Sequence, residues 1–243
     1  MPGASQPAQY APPQPGTPCA LCAQPIYAAY WCDPRGQYFC GSHSLVVCPF
    51  CERGFEPGGA AAEDRCPFCA SVAVVRSDEA QARYKFVADW YGSEGLTFSG
   101  GAPPLRLESQ MPPAPKGRSP MMGFADKRFP GFGCKAGRVQ SIAIRSGLTR
   151  SLFGVVAAHE LGHAYLTERG VALSERIEEG TCDWLAHAFA LRIATDDMRW
   201  VAHRIEINPD PINGDGFRRV RALAGRATPR DLPALLPSLA REP

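Results

Sequence analysis

The sequence predicts an α+β protein with a small metal-binding module ahead of a larger helical domain. Four pairs of cysteine or histidine, each pair spaced by two residues, crowd the front third of the chain. The string HELGH, residues 159–163, lies in a long segment with helical periodicity just after a short β-type run. The 243 residues suffice for one solid core and a satellite module. We predict a disordered tail over residues 1–17, the module over residues 18–72 and the larger domain over residues 73–243.

The composition argues against several classes of function. The formal net charge is +2 with both signs interspersed, so we expect no nucleic-acid partner and no membrane surface. No apolar run approaches the length of a membrane span. The Pro- and Gln-rich start has no signal-peptide pattern, which favours a cytoplasmic protein. In that reducing compartment, the ten cysteines are expected to be metal ligands rather than disulfides.

The four pairs have the spacing of zinc knuckles. A gap of two residues lets one tight turn aim both side chains at one ion, and two such turns complete the tetrahedral set of a structural zinc. Four pairs therefore predict two structural zinc ions. Cys32, Cys134 and Cys182 fall outside the pairs and are predicted to be small buried side chains. The predicted ligands are Cys19, Cys22, Cys40, His43, Cys48, Cys51, Cys66 and Cys69.

The segment between the first two pairs indicates how the pairs combine. Residues 23–39 are apolar and aromatic on both sides of DPRG, which predicts a hairpin. A hairpin returns the pair before it to the pair after it, so the first two pairs should share one zinc and the last two the other. Two ribbons in series resemble a LIM domain, although Cys40 and His43 stand in the reverse of the usual order. Interleaved pairing, as in a RING finger, is the alternative. Either module would be a rigid platform for a protein partner.

The larger domain is predicted to be mainly helical. Tyr84, Val87 and Tyr91 recur at helical spacing and predict a helix of about four turns that stops at Gly92. The other predicted elements are a Gly- and Pro-rich loop over residues 94–136, functional or disordered, a strand over residues 138–147, a helix closed by Gly170 and a helix with Ser174 as its N-cap.

HELGH is the candidate catalytic motif of the chain. His159 and His163 are four residues apart, about one helical turn, so both imidazoles stand on one face and can hold one catalytic zinc. Glu160 is then the predicted general base. It would take a proton from a water whose pKa the zinc lowers to about 7. The alternative is that both histidines are buried structural residues, since five such letters also arise by chance.

A catalytic zinc needs a third protein ligand. The string EEGTCD begins fifteen residues after His163, on the next predicted helix. Glu179 is the predicted ligand and Glu178 its rival. We favour Glu179 because Asp183, one turn further on, shares its face and can accept a hydrogen bond from the outer nitrogen of a liganding histidine.

Two further expectations follow from zincin-type peptidases. A strand placed ahead of the active helix, here over residues 138–147, is an exposed sheet edge that binds the substrate backbone by strand addition. A second electrophile stabilises the oxyanion. His203 is the predicted candidate and His187 the next, and each could equally be a structural or surface histidine.

The segments AAHELGHAYLTERGVALSERIEEGTCDWLAHAFA and HRIEINPDPINGDGFRRV resemble the DA-one-like peptidases, known from plant regulators of organ size. The resemblance covers roughly residues 80–225, and the family also carries LIM modules ahead of its peptidase domain. It implies a zincin-like fold of the gluzincin class and a zinc endopeptidase that cleaves selected regulatory proteins. It also implies ubiquitin or a ubiquitin-like protein as a partner.

The sequence therefore predicts a cytoplasmic zinc endopeptidase with one catalytic and two structural zinc ions, whose LIM-like module recruits a protein partner. Two alternatives remain. One is an adaptor whose peptidase-like domain only binds, against which the intact set of His159, Glu160, His163 and Glu179 argues. The other is a RING-type ubiquitin ligase, which requires interleaved zinc pairing.

Overall fold

The chain folds into two compact units, Met1–Ala73 and Val74–Pro243, in a mixed α+β architecture. The sequence-based boundary lies one residue earlier. The computed structural model describes residues 11–58, 65–113, 121–129 and 136–243. Cys134 and residues 1–10 of the predicted tail lie outside these ranges. None of the helices within them is both long and apolar enough to cross a membrane.

The described part of the front unit consists of three two-stranded antiparallel ribbons and a short helix. The predicted hairpin is confirmed, with Trp31 opposite Phe39 in its ladder. The buried cluster is small, built on Cys19, Ile26 and Phe39. A core of this size supplies little stability by apolar burial, and small domains of this kind commonly add a structural metal. The elements are β1 (Thr17–Pro18), β2 (Pro25–Ile26), β3 (Tyr30–Cys32), β4 (Tyr38–Cys40), β5 (Val46–Val47), β6 (Gly54–Phe55) and α1 (Pro67–Ser71).

The buried carboxylate of Asp33 ties two of these ribbons together. Its Oδ1 accepts hydrogen bonds from the backbone N–H groups of Arg35 and Gln37, each at 2.9 Å, and so fixes the turn between β3 and β4. Its Oδ2 accepts the N–H of Gly54 in β6, also at 2.9 Å. Hydrogen bonds to an ionised acceptor are among the strong ones. Asp33 thereby joins the hairpin of the first cysteine pairs to the ribbon of the last.

The larger unit sets a three-stranded sheet and a layer of helices around a shared core. The strand order is β7–β9–β8, with β7 parallel and β8 antiparallel to β9. Helix α3 packs against the sheet and against α4, which in turn packs on α5 and α6. The elements are α2 (Ser77–Ser93), β7 (Leu105–Glu108), β8 (Gly123–Arg128), β9 (Arg138–Arg145), α3 (Arg150–Arg169), α4 (Glu175–Ile193), α5 (Asp196–Glu206), α6 (Asn213–Ala224), a 3₁₀ turn (Pro229–Asp231) and α7 (Leu232–Leu239).

The three helices predicted ahead of α5 are confirmed, with ends close to those expected. Helix α3 begins after Thr149, whose hydroxyl accepts the N–H of Leu152, and ends at Gly170, which has a left-handed φ of 63°. Helix α4 begins after Ser174, which has an N-cap backbone but makes no capping hydrogen bond. Helix α2 runs one residue past Gly92.

Two predictions between α2 and α3 are wrong. The loop predicted over residues 94–136 contains β7, whose alternation of apolar and polar residues extends over only four positions, and β8, which shows no regular alternation. Parts of that loop, residues 114–120 and 130–135, lie outside the described residues. The strand predicted to be an exposed edge is β9, which lies in the centre of the sheet because β7 and β8 pair with it on both sides. The edge that contacts α3 is β8.

We predict that Asp33→Ala destabilises the zinc-loaded front unit by about 2–4 kcal/mol. Hydrogen bonds to a charged acceptor are worth about 1.5–3 kcal/mol each, and water replaces part of the loss. Denaturant unfolding followed by thiol reactivity measures the effect. Asp78→Ala removes an exposed carboxylate paired with Arg76 in the other unit and should leave the thiol midpoint unchanged. Equal midpoints for Asp33→Ala and the parent would contradict the role of Asp33.

Candidate metal centres

Two clusters of potential metal ligands lie in the front unit. Within each cluster, the candidate ligand atoms lie within 4.8 Å of one another. The first two pairs meet in one cluster and the last two in the other, so the arrangement is serial, as the hairpin predicts, and not interleaved. Tetrahedral zinc takes both donor sets. The clusters are Cys19, Cys22, Cys40 and His43, and Cys48, Cys51, Cys66 and Cys69.

The orientation of His43 fits a metal ligand. Its Nδ1 lies 2.9 Å from Oε1 of Glu56. Its Nε2 is buried and has no hydrogen-bond partner in the part of the chain that the structure describes. A buried ring nitrogen is normally satisfied, and a metal-bound histidine typically donates its outer N–H to a carboxylate. The first cluster therefore could hold a zinc ion through Nε2 of His43.

Backbone N–H groups prepare the sulfur atoms for metal binding. Burial opposes ionisation of the Cys19 thiol, but the N–H groups of Cys22, Cys40 and Leu21 outweigh it and lower the pKa of Cys19 to about 6. In the second cluster the N–H of Cys66 points at Sγ of Cys48, 3.4 Å away. The thiolate is the form that binds zinc, so this geometry favours the metal-bound state.

A third cluster lies between α3 and α4, where two histidines face one carboxylate. Nε2 of His159 is 3.2 Å from Oε2 of Glu179, and Nε2 of His163 is 3.6 Å from Oε1 of the same residue. Two imidazole nitrogens and a carboxylate oxygen are the protein donors of a catalytic zinc site with an open position. These residues therefore fit a zinc ion. We call His159, Glu160, His163, Glu178, Glu179 and Asp183 the α3–α4 site.

A different carboxylate holds the outer nitrogen of each histidine. Asp183 Oδ1 lies 2.8 Å from Nδ1 of His159, in the place that the sequence predicts. Glu178 Oε1 lies 2.7 Å from Nδ1 of His163 and also accepts a hydrogen bond from Lys127. Glu178 and Glu179 point in different directions because consecutive helix positions are about 100° apart. This role of Glu178 is not among the sequence-based predictions, although two histidines on one face require two outer acceptors.

The carboxylates dominate the electrostatics of the α3–α4 site. Burial lowers the pKa of His159, but Asp183 and Glu179 outweigh it and raise that pKa well above its usual value. Burial raises the pKa of Glu179, but the two histidines more than compensate and hold it well below its usual range. The negative field that raises the histidine pKa also attracts a divalent cation.

Glu160 is buried beside the two histidines, next to the sheet edge. Burial raises the pKa of its carboxyl, although His159 and His163 oppose the shift. A Cβ atom added at Gly123 in β8 would lie 2.8 Å from Oε1 of Glu160 and 2.7 Å from Cγ1 of Val156. Gly123 therefore lets the edge strand approach the carboxylate closely. A raised carboxyl pKa suits a general base that works near neutral pH.

Cys182 is a further buried group at this interface. One atom of Cys182 and one of each histidine also lie within 4.8 Å of one another. Its sulfur packs against α3 at Gly162, where an added Cβ would be 3.0 Å away. Burial raises the pKa of the Cys182 thiol and so disfavours the thiolate that zinc requires. Glu179, ionised and facing both Nε2 atoms, is the better third donor, and Cys182 is buried as predicted.

Helix α6 contributes a hydrogen bond to Glu179. Nδ2 of Asn213 donates to Oε2 of Glu179 at 3.2 Å. Helices α4 and α6 cross closely, and a Cβ added at Gly180 in α4 would collide with the backbone of Gly216 in α6. This glycine contact brings the start of α6 to the α3–α4 site. The sequence analysis did not single out Asn213, because no local pattern reveals which helix crosses α4.

Within the described residues, the contacts of His203 and His187 are with Glu206, Trp200 and Phe217. His203 is half exposed on α5, and its Nδ1 is 4.0 Å from Oε2 of Glu206. His187 is buried on α4, with Nε2 3.0 Å from Oε1 of Glu206 and its ring 5.1 Å from that of Phe217. Among the described residues, neither imidazole contacts the α3–α4 site. The geometry thus gives no support to His203 as the oxyanion-stabilising residue.

Comparisons with known proteins point to one family. Residues 129–199, which contain both HELGH and EEGTCD, match the family model described as DA1-like, Protein DA1. Protein DA1 of Arabidopsis thaliana is 30% identical over 112 residues, which cover 34% of this chain and 21% of that protein. The matched region thus spans about a fifth of that relative's length. No solved structure matches the chain significantly.

We predict three zinc ions per chain in carefully purified, reduced protein. Cys48→Ser with Cys51→Ser should remove one, because it breaks a closed tetrahedral set, and His159→Ala with His163→Ala should remove another. Each loss should leave the remaining ions in place because the clusters share no ligands. Elemental analysis against protein concentration measures the stoichiometry. A parent value of one or zero would contradict the assignment.

We predict a graded loss of zinc from the α3–α4 site. Glu179→Ala removes a direct donor and should weaken zinc most. Asp183→Ala and Glu178→Ala should each weaken it about 10–100-fold, because each releases the outer nitrogen of one histidine. Competition with a chelator measures the affinity. Glu168→Ala, at a carboxylate that contacts Ser99, is the control and should change nothing. Wild-type affinity in Glu178→Ala would show that His163 needs no outer partner.

Proposed function

We propose that this chain, which matches the DA1-like family model over residues 129–199, is a zinc-dependent endopeptidase. The observation that carries the proposal is the convergence of Nε2 of His159 and of His163 on Glu179, with Glu160 buried beside them. Three protein donors leave a position for a reactant, whereas four donors close the coordination of a structural ion. A carboxylate next to that position is the group that peptide hydrolysis requires.

The residues of the α3–α4 site would divide the chemistry among them. A zinc ion held by His159, His163 and Glu179 would supply the Lewis acidity that polarises a peptide carbonyl and acidifies a water molecule. Glu160 would accept a proton from the attacking water and donate it to the leaving amine. Its buried position raises its pKa and so strengthens it as a base. Asp183 keeps the ring of His159 in orientation through its outer nitrogen.

We propose that β8, rather than β9, receives the substrate backbone. Among the described residues β8 pairs with β9 on one side only, so its other side offers unpaired backbone groups. An extended peptide can add to such an edge by main-chain hydrogen bonds. Gly123 places this edge directly against Glu160. A peptide added to β8 would therefore pass next to the base.

The front unit is proposed to recruit a protein partner. Two closed metal sets and Asp33 would make it rigid, and Leu21, Tyr27 and Tyr30 remain exposed on its surface. Exposed aromatic side chains are typical of protein interfaces. A reducing compartment such as the cytoplasm would keep the thiols available as ligands. The link to ubiquitin or a ubiquitin-like protein rests on the family resemblance alone.

The proposal predicts that Glu160→Gln loses peptide cleavage and keeps zinc. The amide preserves the shape of the side chain but cannot accept the proton, so cleavage of an unfolded test protein should fall by about a hundredfold or more. Zinc content should match the parent, because Glu160 is not a donor. Full activity in zinc-loaded Glu160→Gln would sink the peptidase assignment.

A second prediction tests the sheet edge. Gly123→Ala should lower cleavage on the order of 10–100-fold with zinc content unchanged, because the added methyl presses on Glu160 and displaces the base. Gly92→Ala is the matched control, since a Cβ there meets nothing within 4 Å. Both variants are compared by turnover and by chelator competition. Parent-like turnover in Gly123→Ala would remove the argument for close contact between β8 and the base.

A further inference from the structure

Lys127 links the sheet edge to the metal-holding helices. Side chains along a strand alternate in direction, so Lys127 lies on the same face of β8 as Gly123, which contacts Glu160. Its Nζ donates to Oε1 of Glu178 on α4. The same oxygen accepts the hydrogen bond from Nδ1 of His163. One carboxylate therefore joins an edge-strand ammonium to a histidine that would hold the metal.

The pairing of β8 with β9 is irregular at the point where this contact begins. The register shifts between Asp126 and Lys127, so that Gln140 of β9 has no residue opposite it in β8, the pattern of a β-bulge in β9. A bulge increases the local twist, and bulges are frequent next to active sites. The contact is also partly shielded from water, with 31% of the Lys127 side chain and 27% of the Glu178 side chain exposed. Shielding strengthens the attraction between the two charges.

The Glu178 side chain has a second position within its reach, and the role of Lys127 follows from this. Glu178 adjoins Glu179, and a carboxylate released from its present partners could swing towards the ion and close the position that a reactant needs. Lys127 and His163 together hold Glu178 at the outer nitrogen instead. We propose that Lys127 is a positioning residue, which keeps Glu178 on Nδ1 of His163 and couples the substrate-binding edge to the zinc site. The inference rests on the proposed zinc peptidase function.

Coupling of this kind acts in both directions. If zinc at the α3–α4 site fixes His163 and Glu178, it also fixes Lys127 and with it the end of β8. By thermodynamic linkage, a ligand that orders β8 strengthens zinc binding by the same factor by which zinc strengthens the binding of that ligand. An added peptide strand would do this. Zinc loading of the α3–α4 site should therefore slow amide exchange in β8, and Lys127 should be required for that protection.

The experiment compares Lys127→Met, Lys127→Arg, Glu178→Gln and the double variant Lys127→Met with Glu178→Gln. The first readout is zinc loss to a chelator, restricted to the fraction that His159→Ala abolishes. The second is hydrogen–deuterium exchange over residues 121–129 with and without zinc. Lys85→Met, which breaks an exposed pair with Asp89, is the matched control. If Lys127→Met unfolds, Lys127→Gln removes the charge while keeping a polar side chain, and the same outcomes apply.

We expect Lys127→Met to speed zinc loss about three- to tenfold, less than the ~10–100-fold typical when a direct partner is removed. Lys127→Arg should restore most of the difference, and Lys127→Met should add almost nothing in the Glu178→Gln background. Parent-like zinc loss and exchange in Lys127→Met, or equal effects in both backgrounds, would overturn the inference. Failure of the proposed zinc peptidase function gives a different result. In that case the double variant His159→Ala with His163→Ala would have the same zinc content as the parent protein.

Discussion

The close approach of α3 and α4 is the constraint on which the α3–α4 site depends. Both Nε2 atoms reach Glu179 only because the helices touch where Gly162 packs against Cys182. On its other side α4 meets α6 through Gly180 and Gly216, and this second contact places Asn213 on Glu179. A larger side chain at either glycine contact would separate the helices. Since donor positions must hold within about 0.5 Å, small residues at these crossings decide whether a metal can bind.

The same constraint concentrates negative charge. Glu160, Glu178, Glu179 and Asp183 are brought close together, and within the described residues Lys127 contacts Glu178 while the two histidines contact Glu178, Glu179 and Asp183. Buried like charges cost free energy, so the packing of this region alone does not explain the arrangement. A divalent cation between the histidines and Glu179 would offset the repulsion. Violation of local stability rules at one place in an otherwise consistent fold is typical of a functional site.

How much the sequence could predict follows from how local each signal is. Helix α3 with Gly170 as its end, the hairpin around DPRG and the serial cysteine clusters follow from patterns within a few residues, and the structure contains them. The role of Glu178, the contact of Lys127 and the support from Asn213 depend on partners 15 to 51 residues away, and no local pattern indicates them. Strand β8 has no regular alternation of apolar and polar residues, so its sequence does not indicate a strand, and without it β9 is predicted to be the edge. The assignment of His203 to the oxyanion stays a prediction.

The two units would use metal ions for different physical reasons. In the front unit four protein donors surround each candidate ion, so no position remains for a reactant, and the ion replaces a core that a few apolar side chains cannot supply. In the larger unit the core is built from fully buried side chains such as Phe153, Tyr165 and Phe189, so apolar burial stabilises this unit to a greater extent. There three donors could hold an ion, and carboxylates contact the outer nitrogens of the histidines. An ion held there with one position open would serve chemistry rather than stability, as the proposed function requires.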